Sequence, residues 1–155
     1  MLFFPKKRPV VTTDYGFVGD VKKVDAENLS HIIRAGLVPV MAPLTHDGKG
    51  KMLNTNADTI AGETAKALAP FFDVTLIYCF EKKGVLLNPD DDESVIPVIT
   101  PESFKHYVEQ GIIVDGMIPK LENAIAAVKA GVSKVIIKRA SDITNESGTT
   151  ISCKE

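Results

Sequence analysis

Asn54, Asn56 and Asp58 occupy alternate positions in "LNTNAD", just ahead of an alanine-rich helical pattern that runs to about Leu68. Two carboxamides and a carboxylate at a strand-to-helix junction can hydrogen-bond a small polar ligand, or they can close the free end of the helix. One cap needs one side chain. A spacing of two therefore leaves at least one polar group without capping work, and that surplus points to a ligand. A second set is "DGMIPK", residues 115–120, between two helical patterns. There Gly116 permits close backbone approach, and Lys120 at a helix start opposes the helix dipole unless an anion shares the site. The plainer alternatives are a cap at Asn56 or Asp58 and a solvated lysine at 120.

Other polar clusters carry less. "GKGK", residues 48–51, reads as a hairpin turn, because the chain contains neither GxxxxGK[ST] nor GxGxxG. "PDDDE", residues 89–93, lacks the glycine and the spaced ligands of a calcium loop and reads as a solvated loop. His31, His46 and His106 fall in a helix, a turn and a helix, with no nucleophile or metal neighbour beside them. Cys79 and Cys153 stand in no CxxC or Cys/His spacing and read as free thiols of a reducing cytosol.

The elements that position these groups alternate along the chain. "GDVKKV" (residues 19–24) has strand alternation, and a helix capped by Asp25 and ended by Gly36 follows. "LVPVMAPL" (residues 37–44) is a continuous apolar run, predicted as a strand covered on both faces. After the helix that Pro70 stops, "DVTLIYCF" (residues 73–80) is predicted as another buried strand, with "GVLL" close behind. "IPVIT" is a short strand. "PESFKHYVEQG" is a helix with Pro101 at its first position and Gly111 past its end. "KLENAIAAVKAG" and "VSKVIIK" supply a further helix and a buried strand. Strands and helices in this alternation predict an α/β layered domain with a largely parallel sheet.

A chain of 155 residues without an internal repeat or linker fits one domain, residues 1–155. Its 45% hydrophobic and 25% charged residues exclude a disordered or disulfide-dense chain. A net charge of −2 offers no basic field for nucleic acid, which the short cluster Lys6, Lys7 and Arg8 does not supply. No apolar run approaches the ~18 residues of a membrane span, so a cytoplasmic protein is expected. The opening "MLFFP" has no periodic pattern and fits a truncation point.

Taken in order, "DYGFVGDV", "GLVPVMAPL", "LNTNAD", "GVLL", "GIIVDGMIPK" and "SGTTI" resemble the acetylglutamate kinases of arginine biosynthesis, in the amino acid kinase family. The likeness runs from about Lys7 to Ile151 and rests on the series, not on one motif. It implies a three-layer αβα sandwich and phosphoryl transfer from ATP to the side-chain carboxylate of an N-acylated glutamate. Mg²⁺ would be bound through the nucleotide. It also implies that Asn54 and Asn56 contact the amino-acid substrate, that Asp58 orders catalytic lysines and that Lys120 holds nucleotide phosphates. Glu81, Lys82, Gly84, Gly116 and Met117 are the further nucleotide contacts it suggests. "FEKKGVLL" departs from the Thr/Ser-Asp-Val of many relatives, so the adenine side carries over weakly.

The family begins with a half that these residues do not match, carrying a glycine-rich phosphate loop, a second lysine and much of the acyl-glutamate pocket. The chain thus resembles the carboxyl-terminal, nucleotide-binding part, inactive or nearly so by itself. A homodimer is implied; the acyl group stays open. The reading requires Lys120 and Asp58 to converge beside a bound triphosphate. A rival reading is a non-catalytic nucleotide-binding or regulatory module of the same fold. A third is an incomplete chain that self-associates through a surface its other half would cover.

Overall fold

The computed structural model describes residues 2–153, which divide between Phe71 and Phe72 into two units. In the first, β1 (Phe3–Lys7) pairs antiparallel with β2 (Gly19–Val24), with a bulge between Phe4 and Pro5. A bulge is where a residue without an N–H is tolerated in a ladder. The patternless opening is therefore a strand from Phe3 onward; Met1 lies outside the described residues. Arg8 fastens the ribbon to Asp20, with Nη2 2.5 Å and Nε 3.1 Å from Oδ1.

Asp25 caps α1 (Ala26–Arg34) by accepting from the Asn28 amide at 3.2 Å, and Gly36 ends it at φ +80°. β3 (Leu44–His46) and β4 (Met52–Asn54) form an antiparallel hairpin. Its turn includes residues 48–51 as expected: Asp47 accepts from the amides of Lys49 at 2.7 Å and Lys51 at 3.1 Å. α2 (Ala57–Leu68) packs on β2 and α1. Leu29, Leu53, Ile60 and Ala65 form the shielded interior of this unit.

Residues 37–44 correct the sequence reading. Only Leu44 enters a strand, and Leu37, Val38 and Val40 are 63%, 86% and 95% exposed. An apolar run becomes a buried strand only when a neighbour pairs with it. Among the described residues no strand pairs with residues 37–43, and Pro39 and Pro43 each lack a ladder donor.

The second unit holds a four-stranded sheet in the order β5-β7-β8-β6, from β5 (Thr75–Phe80), β6 (Val98–Ile99), β7 (Lys134–Arg139) and β8 (Thr149–Ile151). β5 runs parallel to β7 and β6 parallel to β8, while β7 and β8 are antiparallel. The result is an α/β arrangement with a mixed, mostly parallel sheet. β5, expected to be buried, is an edge strand with one face open. Leu76 and Tyr78 face inward, and Ile77 and Cys79 are exposed.

α3 (Pro101–Glu109) begins on a capping box between Thr100 and Ser103, with proline at its first position, and packs on β6. α4 (Met117–Lys129) starts earlier than its periodic pattern and lays Leu121, Ala124 and Ile125 against β7 and β8. The spacing of three and four puts those residues on one helix face. Val135, Ile137 and Ile151 meet them from the sheet, all almost wholly shielded.

Candidate functional site

Strand alternation accounts for the polar triplet of the first unit. Leu53 and Thr55 point inward, and Asn54 and Asn56 are exposed. Asn54 ends β4, its amide donating to the Phe17 carbonyl at 2.7 Å. Asn56 is the cap of α2, its Oδ1 accepting from the Thr59 amide at 2.9 Å. Asp58 is half-buried in the first turn of that helix, where a carboxylate is favoured by the dipole. Beneath them, Thr55 and Thr45 join hydroxyls at 2.9 Å, both nearly inaccessible. This buried pair fixes the junction and went unnoticed in the sequence, where two threonines ten residues apart give no signal. Gly19 completes it, because a Cβ there would stand 2.9 Å from Leu53 Cβ.

The second unit carries a cleft of about 470 Å³, lined by Cys79, Phe80, Glu81, Lys82, Gly84, Met117 and Lys120. It opens beside Phe80, the last residue of β5, whose partner in the ladder is Arg139, the last of parallel β7. Five of the six residues suggested for nucleotide contact, Glu81, Lys82, Gly84, Met117 and Lys120, are thus brought together. The sixth, Gly116, precedes α4 at φ −63°, with open space where a Cβ would stand. It leaves room but is not required for its backbone; the left-handed residue is Asp115, φ 44°. A smaller hollow of about 170 Å³ shares Lys82, Gly84 and Met117 and is lined chiefly by apolar residues such as Leu86, Ile112 and Ile113.

The start of α4 corrects a detail of the expected anion site. The Met117 amide donates to Val114 O at 3.1 Å, the Ile118 amide to Asp115 O at 3.2 Å, and Pro119 has none to give. First-turn amides are therefore spoken for, and the donor this helix offers is the Lys120 ammonium, in the same turn. Its Nζ lies 3.9 Å from the centroid of the Phe80 ring.

The rim is held by charge. Lys82 Nζ donates to the Pro89 carbonyl at 3.1 Å and stands 3.8 Å from Asp92. Arg139 donates from Nε to the Glu81 carbonyl at 3.0 Å and from Nη2 to Asp92. That hydrogen bond holds the Asp92 carboxyl below the usual carboxylate range. Lys83 pairs with Glu93, whose hydrogen bond raises the Lys83 ammonium above its ordinary value. The acidic loop is accordingly pinned at Asp92 and Glu93 instead of merely solvated. Arg139 is the positioning residue the sequence reading missed. Its one signal was a cation closing the apolar run of β7.

Gly84 is buried because a Cβ there would meet Thr149 Oγ1 at 2.7 Å, and that hydroxyl accepts from the Val85 amide at 2.8 Å. Among the described residues no three His, Cys, Asp or Glu side chains group so as to hold a metal, and no helix is long and apolar enough to cross a membrane. Asp58 belongs to the first unit and Lys120 to the second.

The cleft bears cations at the carboxyl ends of parallel strands, beside a helix start, which is where open α/β sheets take their ligands. The chain belongs to the amino acid kinase family, which it matches over residues 4–139. It is 72% identical over 145 residues to the acetylglutamate kinase of Phocaeicola vulgatus, a match covering 94% of this chain and 56% of that one. The chain thus spans little more than half the length of such relatives. A crystal structure of smu.665 from Streptococcus mutans UA159 aligns over 99% of this chain and 57% of its own, with 32% identity and a TM-score of 0.78. An N-acetylglutamate synthase from Neisseria gonorrhoeae, solved with coenzyme A and L-arginine, shares the fold at a TM-score of 0.84 and 23% identity. That alignment covers 99% of this chain and 37% of the synthase.

Proposed function

We propose that this chain is the nucleotide-binding part of an acetylglutamate kinase of cytoplasmic arginine biosynthesis. Such an enzyme phosphorylates the side-chain carboxylate of an N-acylated glutamate at the expense of ATP. The observation that carries the reading is the convergence of Glu81, Lys82, Gly84, Met117 and Lys120 on one cleft. The high identity to relatives of that name supports it.

The chemistry needs no general base, since a glutamate carboxylate with a pKa of about 4.3 is ionised at neutral pH. The obstacle is electrostatic: an anionic oxygen must approach a polyanionic triphosphate. Catalysis then comes from positioning and from positive charge on the transferring group. Lys120 supplies that charge in this unit. Mg²⁺ carried on the phosphates would neutralise more of it. Asn54 and Asn56 are proposed to hold the acylamino acid; Asn56 retains its amide nitrogen while Oδ1 caps α2. Asp58 is proposed as an organiser of lysine ammonium groups, and the assembled enzyme as a homodimer.

Calorimetry with Mg-ATP tests the cleft. Wild-type chain is expected to bind, and Lys120→Met to bind about tenfold or more weakly, the loss of one charge-assisted contact of about 1.5–3 kcal/mol. Unchanged affinity in that variant would overturn the assignment. The 155 residues alone are expected to release almost no ADP when given ATP and N-acetylglutamate. Robust turnover by them would sink the view that further phosphate-binding groups are needed.

A further inference from the structure

The two lysines of the cleft are held in different ways. Lys82 is tied to the Pro89 carbonyl and lies near Asp92. Lys120 enters no ion pair among the described residues. Its ammonium rests over the face of Phe80, 3.9 Å from the ring centroid. That ring is itself fixed. Phe80 closes β5 in register with Arg139, and its ring stacks on Tyr78 with centroids 6.3 Å apart and planes 28° from parallel. Tyr78 is only 6% exposed, so the stack is anchored in the interior.

An aromatic face attracts a cation through its quadrupole but carries no net charge. A carboxylate in the same place would fix the lysine and also cancel it, so that an incoming polyanion would have to displace the partner. The ring fixes the lysine and leaves its charge whole. A long lysine stem loses much rotamer freedom when its head is immobilised, and a head already held needs less ordering when ligand arrives.

We infer that Phe80 is a positioning residue for Lys120, presetting its ammonium in the cleft for the phosphates of a nucleoside triphosphate. The inference rests on the nucleotide-binding reading of the cleft given above.

The test uses the full 155-residue chain with isotope-labelled lysine, and both inorganic tripolyphosphate and Mg-ATP as probes. In the wild type, one lysine ε-methylene resonance is expected upfield through the Phe80 ring current, assigned by its disappearance in Lys120→Arg. Phe80→Leu should return that resonance to the ordinary lysine position and weaken binding of both probes about two- to fivefold. Phe80→Tyr, which keeps the ring, should preserve the shift and the affinity. A thermal melt establishes that each variant is folded; should Phe80→Leu unfold, the wild-type resonance and the tyrosine variant decide the matter.

The proposal is overturned if no lysine resonance is displaced in the wild type. It is equally overturned if Phe80→Leu binds as the wild type does, or if Phe80→Tyr loses as much as Phe80→Leu. If the wild type takes up neither polyanion, the nucleotide reading fails and takes the role of Phe80 with it. A surviving ring-current shift would then show that the pairing exists without that use, so the two failures are told apart.

Discussion

In the second unit the apolar run of β7 lies between β5 and β8 with α4 against it, and Val135 and Ile137 are almost wholly shielded. In the first unit no strand pairs with the apolar run of residues 37–42 among the described residues, and Val38 and Val40 are nearly bare. The two runs look alike in hydropathy. What separates them is the ladder: backbone donors and acceptors must be paired before an extended segment can leave water. The same contrast appears in the sheets, two-stranded ribbons in one unit and a four-stranded sheet backed by helices in the other. Two-stranded ribbons are marginal alone, so the first unit depends on α2 and on buried polar joints such as Thr45 with Thr55.

The largest effect should come from truncating the packed side. Leu121→Ala empties a fully shielded site and should lower stability by about 2–5 kcal/mol, while Val38→Ser should change it by less than about 0.5 kcal/mol. Urea titration of the two variants measures the difference, and comparable losses would break the contrast drawn above. Next comes a pair of glycines. Gly84→Ala drives a methyl against Thr149 and should cost about 1–3 kcal/mol, whereas Gly116→Ala meets open space at an ordinary φ and should stay within about 0.5 kcal/mol.

In the first unit, Asn56→Ala removes the cap of α2 and should cost about 1 kcal/mol, with faster hydrogen exchange at the Thr59 amide. An unchanged exchange rate would mean that the cap contributes nothing. The smallest effect is pH-dependent. The Asp92 carboxyl is depressed by Arg139 in the folded chain, so its contribution is complete above the ordinary carboxylate value of about 4. It is lost as pH falls through the lower, folded-state value. Lys83 is raised by Glu93, so its contribution holds below the ordinary lysine value and is lost only as pH rises through the raised one. Both pairs face solvent, and Asp92→Asn should flatten the acid limb of a melting-temperature profile only slightly.

Much of the layout was legible because it is local. Asp25, Thr100 and Pro101 mark helix starts through side chains and a fixed φ that act within one turn, and Gly36 and Gly111 mark ends by their left-handed backbone. The residues suggested for the cleft were legible through resemblance, and five of them do gather there. Arg139, the Thr45–Thr55 pair and the Phe80–Lys120 contact were not, since each depends on which strands become neighbours.

The sequence by itself determined the helices, their caps and turns, several of the strands, and the family, because short-range sterics, hydrogen bonding and hydrophobic period act between residues a few positions apart. Tertiary structure alone decided which apolar run is covered, that β5 stands at an edge, and that the Lys120 ammonium rests on an aromatic face. Those outcomes turn on contacts between segments tens of residues apart, for which burial and pairing depend on what arrives from elsewhere in the chain.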